Sequence, residues 1–229
     1  MAKQSNVDRI YKNIRSMAAN FELKPDEKLN ETSMAERLGA SRTPLREALN
    51  RLVSEGFLTF QKGRGFFCRS LSVTEIFDLY QAREAVECKL VELACQRADP
   101  AELEQLQDFL NDCEEGYHAD VSPEELVELD ERFHMKIAQL SRNNELVRIL
   151  ENLNARIRFV RTMDLDERRV VTPQNHMDIV KAMIAGNIAT AVKNMQTHIV
   201  LSQQEATQAV RKAYMRIYVP DEATEQEKP

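Results

Sequence analysis

Apolar residues recur at helical spacing along almost the whole chain, and strand-like patterning is confined to one short stretch. Val7, Ile10, Ile14 and Met17 predict a first helix over about 7–20. Met34, Ala35 and Leu38 predict a short second helix that stops at Gly39, a residue suited to a left-handed C-cap. Ser41 is a good N-cap and Pro44 is tolerated in a first turn, so a third helix opens there, with Leu45, Leu49, Leu52 and Val53 as its inward stripe. Two helices joined by a short glycine-containing turn make a helix-turn-helix. Residues 57–60 and 66–68 then read as two strands around Lys62-Gly63-Arg64-Gly65, a β-hairpin with a basic tip.

Beyond residue 72 every start signal is helical. Ser72, Asp99 and Ser122 are each followed three residues later by a glutamate (Glu75, Glu102, Glu125), the pattern of a capping box. Thr172-Pro173 and Asn187 open two more helices. The predicted segments are 73–98, 100–116, 123–141, 144–163, 173–185 and 188–213, with an extra turn or short helix expected in 164–171. The expected fold class is mainly α: an N-terminal winged helix-turn-helix over 1–70, and an antiparallel all-α bundle of six or seven helices over 71–218. An acidic tail over 219–229 is expected to be disordered.

Composition fits this picture. Only 6 glycines and 7 prolines in 229 residues argue for long helices and against a turn-rich sandwich. No apolar run approaches the roughly 18 residues of a membrane helix, and the first residues lack a signal-peptide core. Cys68, Cys88, Cys95 and Cys113 form no CxxC pair, so reduced thiols and a cytoplasmic location are expected. The net charge of −6 hides an asymmetry: residues 1–70 carry +5 and residues 71–229 carry −11. A basic module on an acidic chain points to a polyanion for that module alone.

The positions of those charges favour DNA. Arg42 and Arg46 stand one turn apart at the start of the third helix, the end that enters a major groove in helix-turn-helix proteins. Arginine binds guanine bidentately, while Ser41, Thr43 and helix N-terminal amides suit phosphates. Lys62 and Arg64 on the hairpin tip can reach phosphates or a minor groove. The segment from Leu29 to Phe67, with SRTPLREAL, GFL and GRG, resembles the winged-helix domain of the GntR family of bacterial transcription regulators. That resemblance implies base reading by Arg42 and Arg46, backbone or base-edge contacts by Ser41 and Thr43, and a minor-groove wing at Lys62 and Gly63. Some members carry a DNA-contacting arginine on the preceding helix where this chain has Thr32, so the base preference does not transfer whole.

The C-terminal segments carry polar residues on inward faces. Asp130 and His134 lie one turn apart within the stripe Leu126, Leu129, Phe133, Ile137 and Leu140. His176 leads Ile179, Val180 and Met183, and His198 joins Ile188, Val192, Met195 and Ile199. Buried imidazoles and carboxylates are costly unless paired or metal-bound. A single inward histidine is more often a hydrogen-bonded core residue, and Asp130 with His134 also reads as a simple helical pair. Helical bundles do build metal sites from facing helices, and an N/O set suits Zn²⁺, Ni²⁺, Mn²⁺ or Fe²⁺. His118 is placed in a loop. Arg83 sits mid-stripe among Ile76, Leu79, Tyr80, Val86, Leu90 and Leu93, suited either to a carboxylate ligand or to an ion pair with Glu87. Arg156 lies at the edge of the stripe Leu146, Leu150, Leu153 and Ile157.

LDERFHMKIAQLSRNNEL, HMDIVKAMIAGN and MQTHI resemble the FCD ligand-binding domain of FadR-type GntR regulators. This implies a divalent ion, Zn²⁺ foremost, on Asp130, His134, His176 and His198, and sets the chain apart from acyl-CoA-binding members that lack the site. It also implies a small carboxylate effector, for which the stripe positions of Arg83 and Arg156 offer ligands, and a homodimer on operator DNA acting as a repressor. Two other readings are a regulator for which the ion is itself the signal, and a metal-dependent hydrolase or oxygenase. The enzyme reading is disfavoured because no general base other than Glu87 lies on the inward faces, so no enzymatic activity is expected.

Overall fold

The computed structural model describes residues 6–118, 121–165, 172–200 and 203–219. They divide into two compact units, residues 6–72 with 214–219, and residues 73–213. Residues 166–171 and the tail from 220 lie outside the described ones, so the expectations for an extra turn and for tail disorder fall there.

In the first unit α1 (Asn6–Ala19), α2 (Glu31–Arg37) and α3 (Arg42–Ser54) precede a two-stranded antiparallel hairpin, β1 (Leu58–Gln61) and β2 (Gly65–Cys68), paired Leu58 to Cys68 and Gln61 to Gly65. The inward stripes meet as their spacing requires. Ile10 and Ile14 of α1 pack with Leu45, Leu49 and Leu52 of α3, and Phe57 and Phe66 close the core. Each fully buried aliphatic or aromatic side chain here contributes about 1.5–3 kcal/mol. Asn30 caps α2 by accepting from the amides of Thr32 and Ser33, both at 3.1 Å. Gly39 takes φ +58°, which lets the chain turn sharply into α3. Lys28 bridges to Phe67, adding a third short extended segment beside the hairpin.

The second unit is all helical: α4 (Val73–Arg97), α5 (Pro100–His118), α6 (Pro123–Leu140), α7 (Asn144–Asp164), α8 (Thr172–Ile184), α9 (Ile188–Ile199) and the first part of α10 (Gln203–Tyr218). α4 is the hub, packing against α6, α7 and α9, with α8 bridging α5 and α9. The capping box at Ser122 is complete: its hydroxyl accepts from the Glu125 amide at 3.2 Å and Glu125 accepts from the Ser122 amide at 2.9 Å. At Asp99 the reverse arm is present, its amide donating to Glu102 at 2.8 Å.

Three expectations need correction. The helix expected over 188–213 is two, because α9 ends at the extended residue Val200. The break makes seven helices among the described residues of this region, and Ser202-Gln-Gln-Glu205 carries the start pattern that announces α10. α5 continues through His118, which is therefore not in a loop. Within α4 Glu87 joins the buried stripe beside Arg83, while Val86 is only partly buried, against Leu90, Ala138 and Leu150. All four cysteines are free thiols. No described helix is long and apolar enough to cross a membrane.

Candidate metal centre and nucleic-acid interface

Three helices bring the inward polar residues together. The capping box sets the phase of α6, so Asp130 and His134 share its buried face with Phe133 and Ile137. His176 stands in the second turn of α8, its ring stacked on Phe133 with centroids 3.9 Å apart. His198 occupies the last turn of α9. All four are buried, and one donor atom from each lies within 4.8 Å of every other. His176 Nε2 is 3.1 Å from His198 Nε2 and 3.3 Å from Asp130 Oδ1. His134 Nε2 is 3.2 Å from His198 Nε2 and 3.4 Å from Asp130 Oδ2. Donors on one first-row ion at about 2.0–2.1 Å stand roughly 3–4 Å from one another, so these distances and the N₃O chemistry both suit a divalent ion.

Electrostatics keep the donors available. Burial lowers His176 to about 4, against the opposing pull of Asp130. Burial, aided by the neighbouring imidazoles, holds His198 well below the ordinary histidine range. Burial alone would raise Asp130, but Arg161 and His134 outweigh it and hold the carboxyl well below its usual value. Burial likewise opposes ionisation of Glu87, yet Arg83 and His134 prevail and bring it to about 2.

These shifts predict acid lability of the metal-free protein. An unfolded histidine takes up a proton below pH 6.5, whereas folded His176 resists until about pH 4, so its stabilisation is complete above 6.5 and is lost as pH falls. The loss from this group is about 3 kcal/mol, and the depressed carboxyls add theirs below about pH 4.5. Urea midpoints measured from pH 8 to pH 4 are expected to fall continuously below 6.5. A profile that is flat, or that rises below pH 6, contradicts the assignment.

Beside the donors lies a small cavity of about 20 Å³, whose lining includes Tyr80, Arg83, Asp130, Arg161, Thr172 and His198. Arg83 donates from Nε to Glu87 Oε1 at 2.5 Å, so the ion pair weighed in the sequence is formed. Its Nη2 is nevertheless buried without a hydrogen-bond partner among the described residues. Arg156 does not border the cavity: its Nη2 pairs with Glu75 at 3.0 Å. The second cavity arginine is Arg161, which the sequence reading missed. It donates to Asp130 Oδ2 and lies 3.5 Å from Glu131. Arg161 falls four residues after Ile157, so extending the α7 stripe by one turn reaches it.

In the first unit, Ser41 is the N-cap of α3 but its side chain makes no capping hydrogen bond. Arg42, Thr43 and Arg46 are exposed on the first turns of the helix, and Lys62, Gly63 and Arg64 are exposed at the hairpin tip. Gly63 at φ +77° and Gly65 at φ +96° bend the tip as only glycine does without strain. An open cleft of about 720 Å³ is lined by Arg46 on one side and Gly63, Arg64 and Gly65 on the other. The Arg46 side chain, 54% exposed, lies 3.5 Å from Glu31 and over the Phe66 ring. Thr32 is exposed on α2 next to Glu31.

The family described as "Bacterial regulatory proteins, gntR family" matches residues 6–68, and the FCD domain matches residues 78–201. The Nta operon transcriptional regulator of Aminobacter aminovorans is 38% identical over 202 residues, covering 88% of this chain and 95% of that one. This chain belongs to the GntR family. It is a GntR transcriptional regulator with an FCD domain, and its relatives are DNA-binding regulators, not enzymes. The HTH-type transcriptional repressor RspR of Escherichia coli is 25% identical over 208 residues, 89% of this chain and 88% of that one. Among solved structures, E. coli McbR/YncC shares the fold of this GntR regulator with a TM-score of 0.65 at 22% identity, over 93% of this chain and 99% of that one.

Proposed function

We propose that this regulator binds operator DNA as a homodimer and represses transcription until a small carboxylate binds beside a divalent metal in its FCD domain. Asp130, His134, His176 and His198 would hold the ion, and their N₃O donor set suits Zn²⁺. The ion supplies a Lewis-acidic anchor for a carboxylate oxygen, and Arg83 with Arg161 supplies charge for the rest of the anion. The observation that carries this reading is the juxtaposition of the four buried donors with an arginine whose Nη2 has no hydrogen-bond partner at a cavity wall. Arg42 and Arg46 would read bases, Ser41 and Thr43 would take phosphates, and Lys62, Gly63 and Arg64 would form the wing. Repression follows the E. coli relative RspR, an HTH-type transcriptional repressor. The molecule belongs in the cytoplasm, where operator DNA is.

The cavity's small size favours a second reading, in which the ion is itself the signal. One experiment separates the two: thermal melts against a panel of small carboxylic acids, with the protein metal-loaded and chelated. At about 100 times its dissociation constant an acid adds roughly 2.7 kcal/mol, a rise of several degrees for a chain of this size. An acid whose effect vanishes on chelation supports the carboxylate effector. Destabilisation by chelation with no response to any acid supports the ion as signal and removes the acid from the scheme.

A further inference from the structure

Glu87 lies outside the donor set, yet it is buried at the point where the metal centre and the cavity meet. Its two oxygens have different tasks. Oε1 accepts from Arg83 Nε at 2.5 Å, and Oε2 accepts from His134 Nδ1. An imidazole that donates from Nδ1 in its neutral form carries its lone pair on Nε2, the atom that faces Asp130 and His198. The same carboxylate fixes the Arg83 guanidinium by Nε, and Nη2 is left without a hydrogen-bond partner where Arg83 lines the cavity. We infer that Glu87 is a positioning residue that couples the two subsites: it sets the His134 tautomer for metal binding and orients Arg83 for an anion through one shared carboxylate. This inference rests on the metal reading proposed above.

Glutamine is the informative replacement because it keeps the shape and loses the symmetry. Its single carbonyl oxygen can accept from Arg83 or from His134, but not from both. If the amide NH₂ meets His134 Nδ1, the ring proton moves to Nε2 and blocks the metal-facing nitrogen. If the NH₂ meets Arg83 Nε, two donors collide in a buried site. Partners of this kind, which touch a ligand and not the ion, typically account for about 10–100-fold in metal affinity.

The test uses the full chain and the metal alone. Co²⁺ and Zn²⁺ affinities are measured by competition with a chromophoric chelator, and the Co²⁺ visible spectrum and the His134 ring-proton NMR signal of the Zn²⁺-loaded protein are recorded. Glu87→Gln is expected to weaken both ions about 10–100-fold, to change the Co²⁺ band and to shift or abolish the slowly exchanging Nδ1 proton of His134. If Glu87→Gln does not melt cooperatively, the double variant Arg83→Gln with Glu87→Gln removes both charges of the buried pair and serves in its place, with the same weakening expected. Wild-type affinity with an unchanged Co²⁺ band and an unmoved His134 proton in the folded variant overturns the inference and leaves the metal reading standing. A wild-type protein that binds neither ion overturns both.

Discussion

Replacing His176 and His198 together with alanine is expected to abolish specific metal binding. The two residues provide half of the donors, from α8 and α9, leaving Asp130 and His134 on one helix. Loss of a partner that merely orients a ligand already costs about 10–100-fold, so loss of two donors should exceed that by a wide margin. Bound metal measured by elemental analysis after dialysis should drop from one ion per chain to background. The helical fold should persist, since both rings are held in their neutral form and Asp130, which loses His176, keeps Arg161 as its partner. Full occupancy in a folded double variant would show that the ion sits elsewhere.

Arg46→Ala is expected to remove specific operator binding. The side chain projects from the second turn of α3 into the cleft that faces the hairpin tip, and it is steadied by Glu31 and Phe66. A bidentate arginine–guanine contact is worth about 1–3 kcal/mol of discrimination, and a two-fold dimer loses it in both half-sites. Operator affinity should therefore fall by about 10²-fold or more, with discrimination collapsing at one base pair per half-site. Lys62→Ala should instead weaken all sequences alike and flatten the salt dependence by about one phosphate contact. Mobility-shift titrations across a salt series distinguish the two. Unchanged operator affinity in Arg46→Ala would remove this residue from base reading. Metal binding should be unaffected, because Arg46 belongs to the other compact unit.

The first unit was legible because each of its signals acts locally. Gly39 had to adopt positive φ, the α3 stripe was in strict helical phase, and the glycines of the hairpin tip permitted its turn. The buried polar cluster was legible for a different reason: histidine on an apolar stripe is conspicuous against leucine and isoleucine. Arginine is not conspicuous, because its long stem can lie along an apolar face while the head reaches water. Arg156 and Arg161 therefore look alike in sequence, and only the phase of α7 against its neighbours decides that Arg156 meets Glu75 while Arg161 meets Asp130. Glu87 was hidden by its own partner, since a glutamate one turn from Arg83 satisfies the pair without a third group. Its second bond, to His134, spans 47 positions and has no local signature. The break after Ile199 was masked because Ala206, Ala209 and Val210 are buried beyond it, continuing an apolar pattern across the gap.

The small cavity beside the donors has a kinetic meaning. A volume of about 20 Å³ accommodates a single water molecule and no carboxylic acid. A larger ligand that enters only a widened form must wait for it. Its apparent dissociation constant equals the intrinsic value divided by the open fraction, and at high concentration its association rate saturates at the rate of opening. Substitutions that raise the open fraction would then tighten binding without adding a contact. The regulator's sensitivity would be set as much by how seldom this pocket opens as by what lines it.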